Sequence, residues 1–333
     1  MTYYVLVTCL SLAVFLSLNA VGSYAATALW LAMRERASRW QASTRARVLF
    51  WLRVLPPATA LVFVAALMVP AYLKHEPYKA NEAVGLPLLA LALFSAFGIT
   101  FALYRAVASW LMTRRLTTLW LRQAESVSVK GITIPSYRLS YSTPVLAVVG
   151  TLRPRLFIAG QVMNSLSPEE MEVALAHERG HLVARDTLKR AVMHVCRDLL
   201  PFIGAGRVLE RAWAEEAERA ADEYAARSGA ACALDLAAAL IKIARLTPKG
   251  VKNIAPAGAF LLEGASDGLV SRVRLLTEMA STRWTPVGNE SQLSKVALMT
   301  GFIAFAAVIA MASDWHISAN IHTITEHIVK LLS

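Results

Sequence analysis

From residue 3 to residue 33 the chain carries no charge, a run longer than the roughly 20 apolar residues that take a helix across a bilayer. Two more apolar runs of spanning length follow at 54–73 and 83–104, and a fourth lies near the C-terminus at 296–313. No basic segment precedes the first run, so it reads as a retained anchor and not as a cleaved signal peptide. Between the third and fourth runs the pattern changes. Short apolar or β-branched runs at 127–129, 132–134, 145–149 and 156–158 are set off by Gly131, Pro135, Pro144, Gly150 and Pro154, and predict a small sheet. Helical periodicity then covers 168–185, 187–200, 207–227, 234–246 and 267–280. Beyond the last run, Ile317, Ile321, Ile324 and Ile328 recur at helical spacing and predict an amphipathic tail lying on a membrane surface.

Composition agrees with this division. The chain is 56% hydrophobic with a mean hydropathy of +0.47, which sets aside a soluble globular class. Loop charge gives an orientation. Between the first two runs lie Arg34, Arg36, Arg39, Arg45, Arg47 and Arg53 against Glu35 alone. The next loop balances Lys74 and Lys79 with Glu76 and Glu82, and the third run is followed by Arg105, Arg114, Arg115 and Arg122 with no acid. Both termini are therefore expected outside the cell inner (cytoplasmic) membrane, with residues 105–295 in the cytoplasm. Most of the net charge of +11 sits in these two clusters beside the bilayer, where it meets anionic lipid, so direct nucleic-acid binding is not expected. Cys9, Cys196 and Cys232 are scattered and form no metal-binding or disulfide pattern.

Candidate chemistry concentrates in His177-Glu178-Arg179-Gly180-His181. This HExxH string would arise by chance in roughly one chain in a hundred of this length, but here helix signals surround it. Ser167, Pro168 and Glu170 supply an N-cap, a first-turn proline and a capping-box glutamate. On a helix, residues four apart share a face, so both imidazoles can reach one Zn²⁺ while Glu178 stands beside it as general base. About forty residues on, Glu218 and Asp222 are again four apart. The first is the candidate third ligand, and the second is placed to hold the far nitrogen of a ligating histidine. Ala221, Ala225 and Ala226 would keep that surface thin, whereas Glu215, Glu216 and Glu223 read as a solvated acidic face.

These motifs, with the runs at 148–150 and 152–158, Leu166-Ser167-Pro168-Glu169-Glu170 and Asp186, resemble the gluzincin membrane metallopeptidases. The resemblance implies His177, His181 and Glu218 as zinc ligands and Glu178 as base, and an edge strand of the sheet, with 145–149 the candidate, to hold an extended substrate. Two branches share the motifs. The HtpX/CAAX-prenyl-type proteases would place apolar spans between HExxH and the third ligand. Here that interval carries Arg185, Asp186, Lys189, Arg190, Arg197, Asp198, Arg207, Glu210 and Arg211, too much charge to cross lipid. Three spans, a zinc domain and one further span look instead like the BlaR/MecR-type signal transducers. The chain departs from them in having only about twenty residues after Ser313, where they carry a penicillin-binding sensor.

The expected fold is thus an α-helical membrane protein with four transmembrane helices and a cytoplasmic α+β gluzincin zinc-protease domain. Its segments are 1–113 (three spans and a basic loop), 114–295 (peptidase), 296–313 (fourth span) and 314–333 (short tail). The expected function is zinc metalloendopeptidase, acting on a protein or peptide substrate that the BlaR/MecR resemblance implies is a transcriptional repressor. Quality control of the HtpX type and a non-catalytic zinc-containing receptor are the alternatives. Tyr224 and Arg272 are candidates for stabilising the oxyanion, and a homo-oligomer in the bilayer is compatible with the sequence.

Overall fold

The structure, a computed structural model, describes residues 2–75, 84–140, 144–196, 205–246 and 266–281, with the isolated positions 320 and 323. The first apolar run forms α1 (Thr2–Ala37). The second belongs to a single rod made of α2 (Ala42–Val62), a π-helical turn (Phe63–Met68) and α3 (Val69–His75). Pro56 and Pro57 lie inside α2, where each removes a backbone donor. The third run forms α4 (Leu86–Arg122). All three helices are long and apolar enough to cross a membrane. Their inner faces meet through Leu6, Leu10, Val64, Met68, Leu88 and Ala92. Leu29, Leu61, Phe94, Phe97 and Tyr104 point outward and are exposed, an apolar surface that suits lipid and not water. The expected fourth span at 296–313 lies outside the described residues, as does the tail apart from 320 and 323.

These helices outrun the bilayer. At 1.5 Å per residue the 37 residues of α4 make a rod of about 55 Å, against a hydrocarbon core of about 30 Å. The expected boundary at 113/114 therefore falls inside α4, whose last turns enter the second half of the molecule. There Trp120 packs edge-on against Phe157, with ring centroids 5.1 Å apart.

The sheet contains β1 (Ala124–Val127), β2 (Ser136–Leu139), β3 (Leu146–Val149) and β4 (Arg155–Ala159) in the order β1-β2-β4-β3. The β2–β4 pair is parallel and the other two are antiparallel. The run at 132–134 is not a strand. Gly131 takes a left-handed φ of 81° in a turn closed by Ile132 N–H to Val129 O, and pairing resumes only at Ser136. Gly150 makes the β3–β4 turn at φ 109°, and a Cβ there would lie 2.6 Å from the Arg153 carbonyl oxygen.

Among the described residues, six α-helices follow, α5 (Gly160–Ser165), α6 (Pro168–Ala184), α7 (Asp186–Val195), α8 (Ala205–Ala225), α9 (Ala230–Leu246) and α10 (Ser266–Ser281). One core joins Leu146, Val148, Phe157 and Ile158 to Val173 and Ala174 of α6, Leu236, Leu240 and Ile243 of α9, and Leu276 of α10. A second core fastens α8 to the long helices, through Leu209, Trp213 and Ala217 against Trp30, Ala37, Ala46 and Leu49.

Candidate metal centre

The capping box expected at Ser167 is formed and fixes the start of α6. Ser167 Oγ accepts from the Glu170 amide at 3.2 Å, and Glu170 Oε2 accepts from the Ser167 amide at 2.8 Å. Ten residues of regular helix beyond that start carry His177, and one further turn carries His181. Arg185 ends the helix in the left-handed region (φ 55°, ψ 41°), which turns the chain back so that Asp186 starts α7 beside His181.

α8 crosses α6 at Gly180. A Cβ on this glycine would come within 3.1 Å of Ala221 Cα and 3.3 Å of Tyr224 Cβ. The crossing is close because Gly180 faces Ala221, glycine against alanine, and it brings Glu218 against the two histidines. The Nε2 atoms of His177 and His181 face each other at 3.2 Å. Glu218 Oε2 is 3.7 Å from His177 Nε2, and Glu218 Oε1 is 3.6 Å from His181 Nε2.

These separations test whether a metal fits. Ligands at about 2.0–2.1 Å from a tetrahedral Zn²⁺ stand about 3.3 Å apart, so three donors at 3.2–3.7 Å already surround such a point. Glu218 Oε2 is buried with no aligned hydrogen bond, although Arg272 Nη1 approaches it at 3.1 Å. His177, His181 and Glu218 fit a metal of the zinc type.

Carboxylates stand behind both imidazoles. His177 Nδ1 is 2.9 Å from Asp222 Oδ1, in ion-pair contact though not aligned as a hydrogen bond. His181 Nδ1 is 2.8 Å from Asp186 Oδ2. Asp222 is fully buried, and Arg272 grips it with Nε to Oδ2 at 2.8 Å and Nη2 to Oδ1 at 2.7 Å. Burial alone would raise the Asp222 pKa, but Arg272 and His177 outweigh it and hold the carboxyl at about 2. Burial also works to lower the His181 pKa, yet Glu218, Asp186 and Glu178 lift it to about 9 in the metal-free protein. Burial pushes Glu178 above the usual carboxylate range, opposed by the two histidines and by the Val148 amide, which donates to Oε2 at 3.1 Å.

Of the residues singled out in the sequence, the fold gathers His177, His181, Glu178, Glu218, Asp222 and Arg272 into one cluster, in which all but the half-buried His181 are buried. Tyr224 lies at its border, with the Arg227 guanidinium 4.9 Å above its ring. Of the acids expected on a solvated face, Glu215 is exposed, but the other two are placed otherwise. Glu216 is buried against α2 and bonded to Arg45, and Glu223 accepts from the Ala42 amide. Asp186 is a site residue that the spacing argument left unassigned, although its place five residues after His181 was a usable signal.

The geometry thus brings together a His-His-Glu cluster that could hold a metal ion, with a buried carboxylate at its side, and residues 111–283, just over half of the chain, match peptidase family M48. The chain belongs to peptidase family M48. M48 peptidases are metal-dependent, so the cluster and the match agree on a metallopeptidase, joined here to three helices of membrane-spanning character. Comparison with curated proteins gives no match. The M48 match begins inside α4, so the family region takes in the end of the third apolar helix together with the sheet, α6, α8 and the whole of α10.

Proposed function

We propose that this M48 protein is an integral-membrane zinc metalloendopeptidase in which His177, His181 and Glu218 hold the metal and Glu178 is the general base. The observation that carries this is the convergence of three donors at 3.2–3.7 Å beside a buried carboxylate. When bound, zinc supplies Lewis acidity towards the scissile carbonyl and the attacking water. Glu178 takes the water proton and delivers it to the leaving amine, and a buried carboxyl of raised pKa suits both steps. Asp222 and Asp186 hold the ring orientations of His177 and His181. Arg272 is committed to Asp222 and Glu218, which gives it a positioning role in place of the oxyanion role suggested by sequence; Tyr224 remains the candidate oxyanion donor.

For the substrate, the arginine-rich segments that follow the first and third apolar runs support a cytoplasmic target. The BlaR/MecR-type resemblance makes that target a transcriptional repressor cut in response to an event at the membrane. A second reading, quality control of membrane proteins, is favoured by the packing of α8 directly on α2, which keeps the site beside the apolar helices. Comparing cytoplasmic and membrane proteomes of cells carrying wild type and Glu178→Gln decides between them. One or two cleaved regulators appearing only under stimulus would support signalling. Broad accumulation of damaged membrane proteins in the Glu178→Gln cells would overturn it in favour of quality control. Purified protein without stoichiometric zinc would refute the metal assignment that both readings share.

A further inference from the structure

α8 has two working faces. Glu218 and Asp222 look towards α6, whereas Leu209, Trp213, Glu216 and Ala217 look the other way, into α2 and the end of α1. Glu216 and Glu218 are two residues apart and so stand about 200° around the helix from each other. What holds Glu216 therefore sets where Glu218 points.

The contacts run antiparallel along both helices. Arg53 Nε meets Glu210 Oε1 at 3.3 Å, Arg45 Nε meets Glu216 Oε2 at 2.7 Å, and the Ala42 amide meets Glu223 Oε1 at 3.4 Å. Between them lies apolar packing of Ala46 and Leu49 on Trp213 and Ala217. Apolar contact is non-directional and sets the roll of one helix on another less sharply than a fixed polar pair. A short charged hydrogen bond between buried groups is such a pair, and the side chains of Arg45 and Glu216 are only 12% and 10% exposed. Arg45 also donates from Nη1 to the carbonyls of Trp40 and Ser38 in the turn between α1 and α2. One guanidinium thus joins the α1–α2 hairpin to the back of the metal-site helix.

The lever is steep. A carboxylate about 5 Å from the helix axis moves about 1 Å for a roll of about 10°, whereas a metal site tolerates roughly 0.2 Å in ligand distance.

We propose that Arg45 is a positioning residue of the metal centre: through Glu216 it fixes the roll of α8 against the α1–α2 hairpin, and with it the reach of Glu218 to the metal. This rests on the assignment of Glu218 as third ligand. It also gives one of the arginines counted towards membrane orientation a second task, and it makes the α1–α2 hairpin a structural part of the metal centre.

The test uses the full chain in detergent or nanodiscs, with Zn²⁺ affinity from chelator competition, the visible spectrum of the Co²⁺-loaded protein, and thermal unfolding. Arg45→Ala and Glu216→Ala should each lower Zn²⁺ affinity by about 10–100-fold, the range for groups that orient metal ligands, and should alter the Co²⁺ bands. The double variant should lose no more than either single one. The exchanged pair Arg45→Glu with Glu216→Arg should recover most of the loss, which a general loss of stability would not allow. Arg274→Ala, which removes an exposed pair with Glu278, should change nothing. Wild-type affinity and Co²⁺ bands in both single variants, with metal lost in Glu218→Ala, would overturn the proposal and leave the ligand assignment standing. Full metal retention in Glu218→Ala would remove the ligand assignment itself, and the proposal with it. Should Arg45→Ala fail to fold, Arg45→Lys and Glu216→Gln carry the same comparison, and wild-type affinity in both counts against the proposal.

Discussion

The Val148 amide donates to Glu178 Oε2 at 3.1 Å, tying an outer strand of the sheet to the buried carboxylate beside the metal site. The register explains why that amide is free to do so. The β3–β4 ladder uses alternate residues, with Ala159 N–H bonded to Val145 O, so Leu146 and Val148 turn their backbone groups away from β4. The outer strand of the sheet thus also fixes the orientation of the Glu178 carboxylate.

Replacing the base should separate chemistry from binding. Glu178→Gln keeps an acceptor for Val148 and removes no metal donor, so zinc content should stay at the wild-type level. Peptide hydrolysis should fall by about 10²–10⁴-fold, the usual contribution of a general base. Metal analysis and a quenched-peptide assay on the same preparation check this. Residual activity near wild type would show that the proton goes elsewhere.

Gly180 offers a different separation. Its Cβ would press on Ala221 Cα at 3.1 Å, so Gly180→Ala forces α8 away from α6 by a few tenths of an ångström. Alanine is worth about 1 kcal/mol more than glycine inside a helix, which offsets much of the crowding in overall stability. The metal site gains nothing from that offset and tolerates only about 0.2 Å. Unfolding should therefore change little while Zn²⁺ affinity falls about tenfold, and Gly180→Val should fall further. Unchanged affinity in both variants would mean that the crossing is not what places Glu218.

Much of this was legible in the chain. The four-residue spacing of His177 and His181, the Ser167–Glu170 capping box and the Glu218–Asp222 pair are local, and local spacing dictates which side chains share a helix face. What could not be read is which surface covers a given face. Glu216 and Glu223 looked like a solvated stripe because their partners, Arg45 and the Ala42 amide, lie more than 170 residues away in sequence. Ile132 and Ile134 looked like a strand because β-branched residues fit both an edge and a turn flank, and Gly131 decided for the turn. The length of α4 was hidden by Arg105, Arg114 and Arg115, which end an apolar run without ending a helix.

Arg272 should matter more to stability than its distance in sequence from the histidines suggests. It is the bidentate partner of a fully buried Asp222 and faces Glu218. Arg272→Ala leaves two carboxylates buried without their cation, and breaking such a pair costs about 3–5 kcal/mol. Arg272→Lys keeps the charge but not the two parallel bonds, and should fall between. Denaturant unfolding of the full chain measures both. A loss under about 1 kcal/mol for Arg272→Ala would place the stabilisation of Asp222 in other groups.

Orientation in the membrane follows from arginines flanking the apolar helices. Reporter fusions near Arg39, Arg115 and Gly250 should report the cytoplasm, and fusions near Glu76 and His322 the outside. An outside signal at Gly250 would put the metal site across the membrane from any cytoplasmic regulator, and repressor cleavage would have to be abandoned.

The pH dependence of metal binding follows from His181. In the metal-free protein its folded pKa stands at about 9, above its ordinary value of 6.5. Protonated His181 is held by Glu218 and Asp186, so its contribution to metal-free stability is fully present below about pH 6.5 and disappears as pH rises through about 9. Metal binding has the opposite sign, because a ligating imidazole must be neutral. At pH 7 the metal has to displace that proton. Zn²⁺ affinity should therefore rise by about tenfold per pH unit from 7 to near 9 and then level off, with about one proton released per metal bound at pH 7. Chelator competition across that range, with calorimetry in buffers of different ionisation enthalpy, measures both quantities. A flat affinity without proton release would show that His181 is already neutral before the metal arrives, and that the carboxylates around it act on the ring's orientation alone.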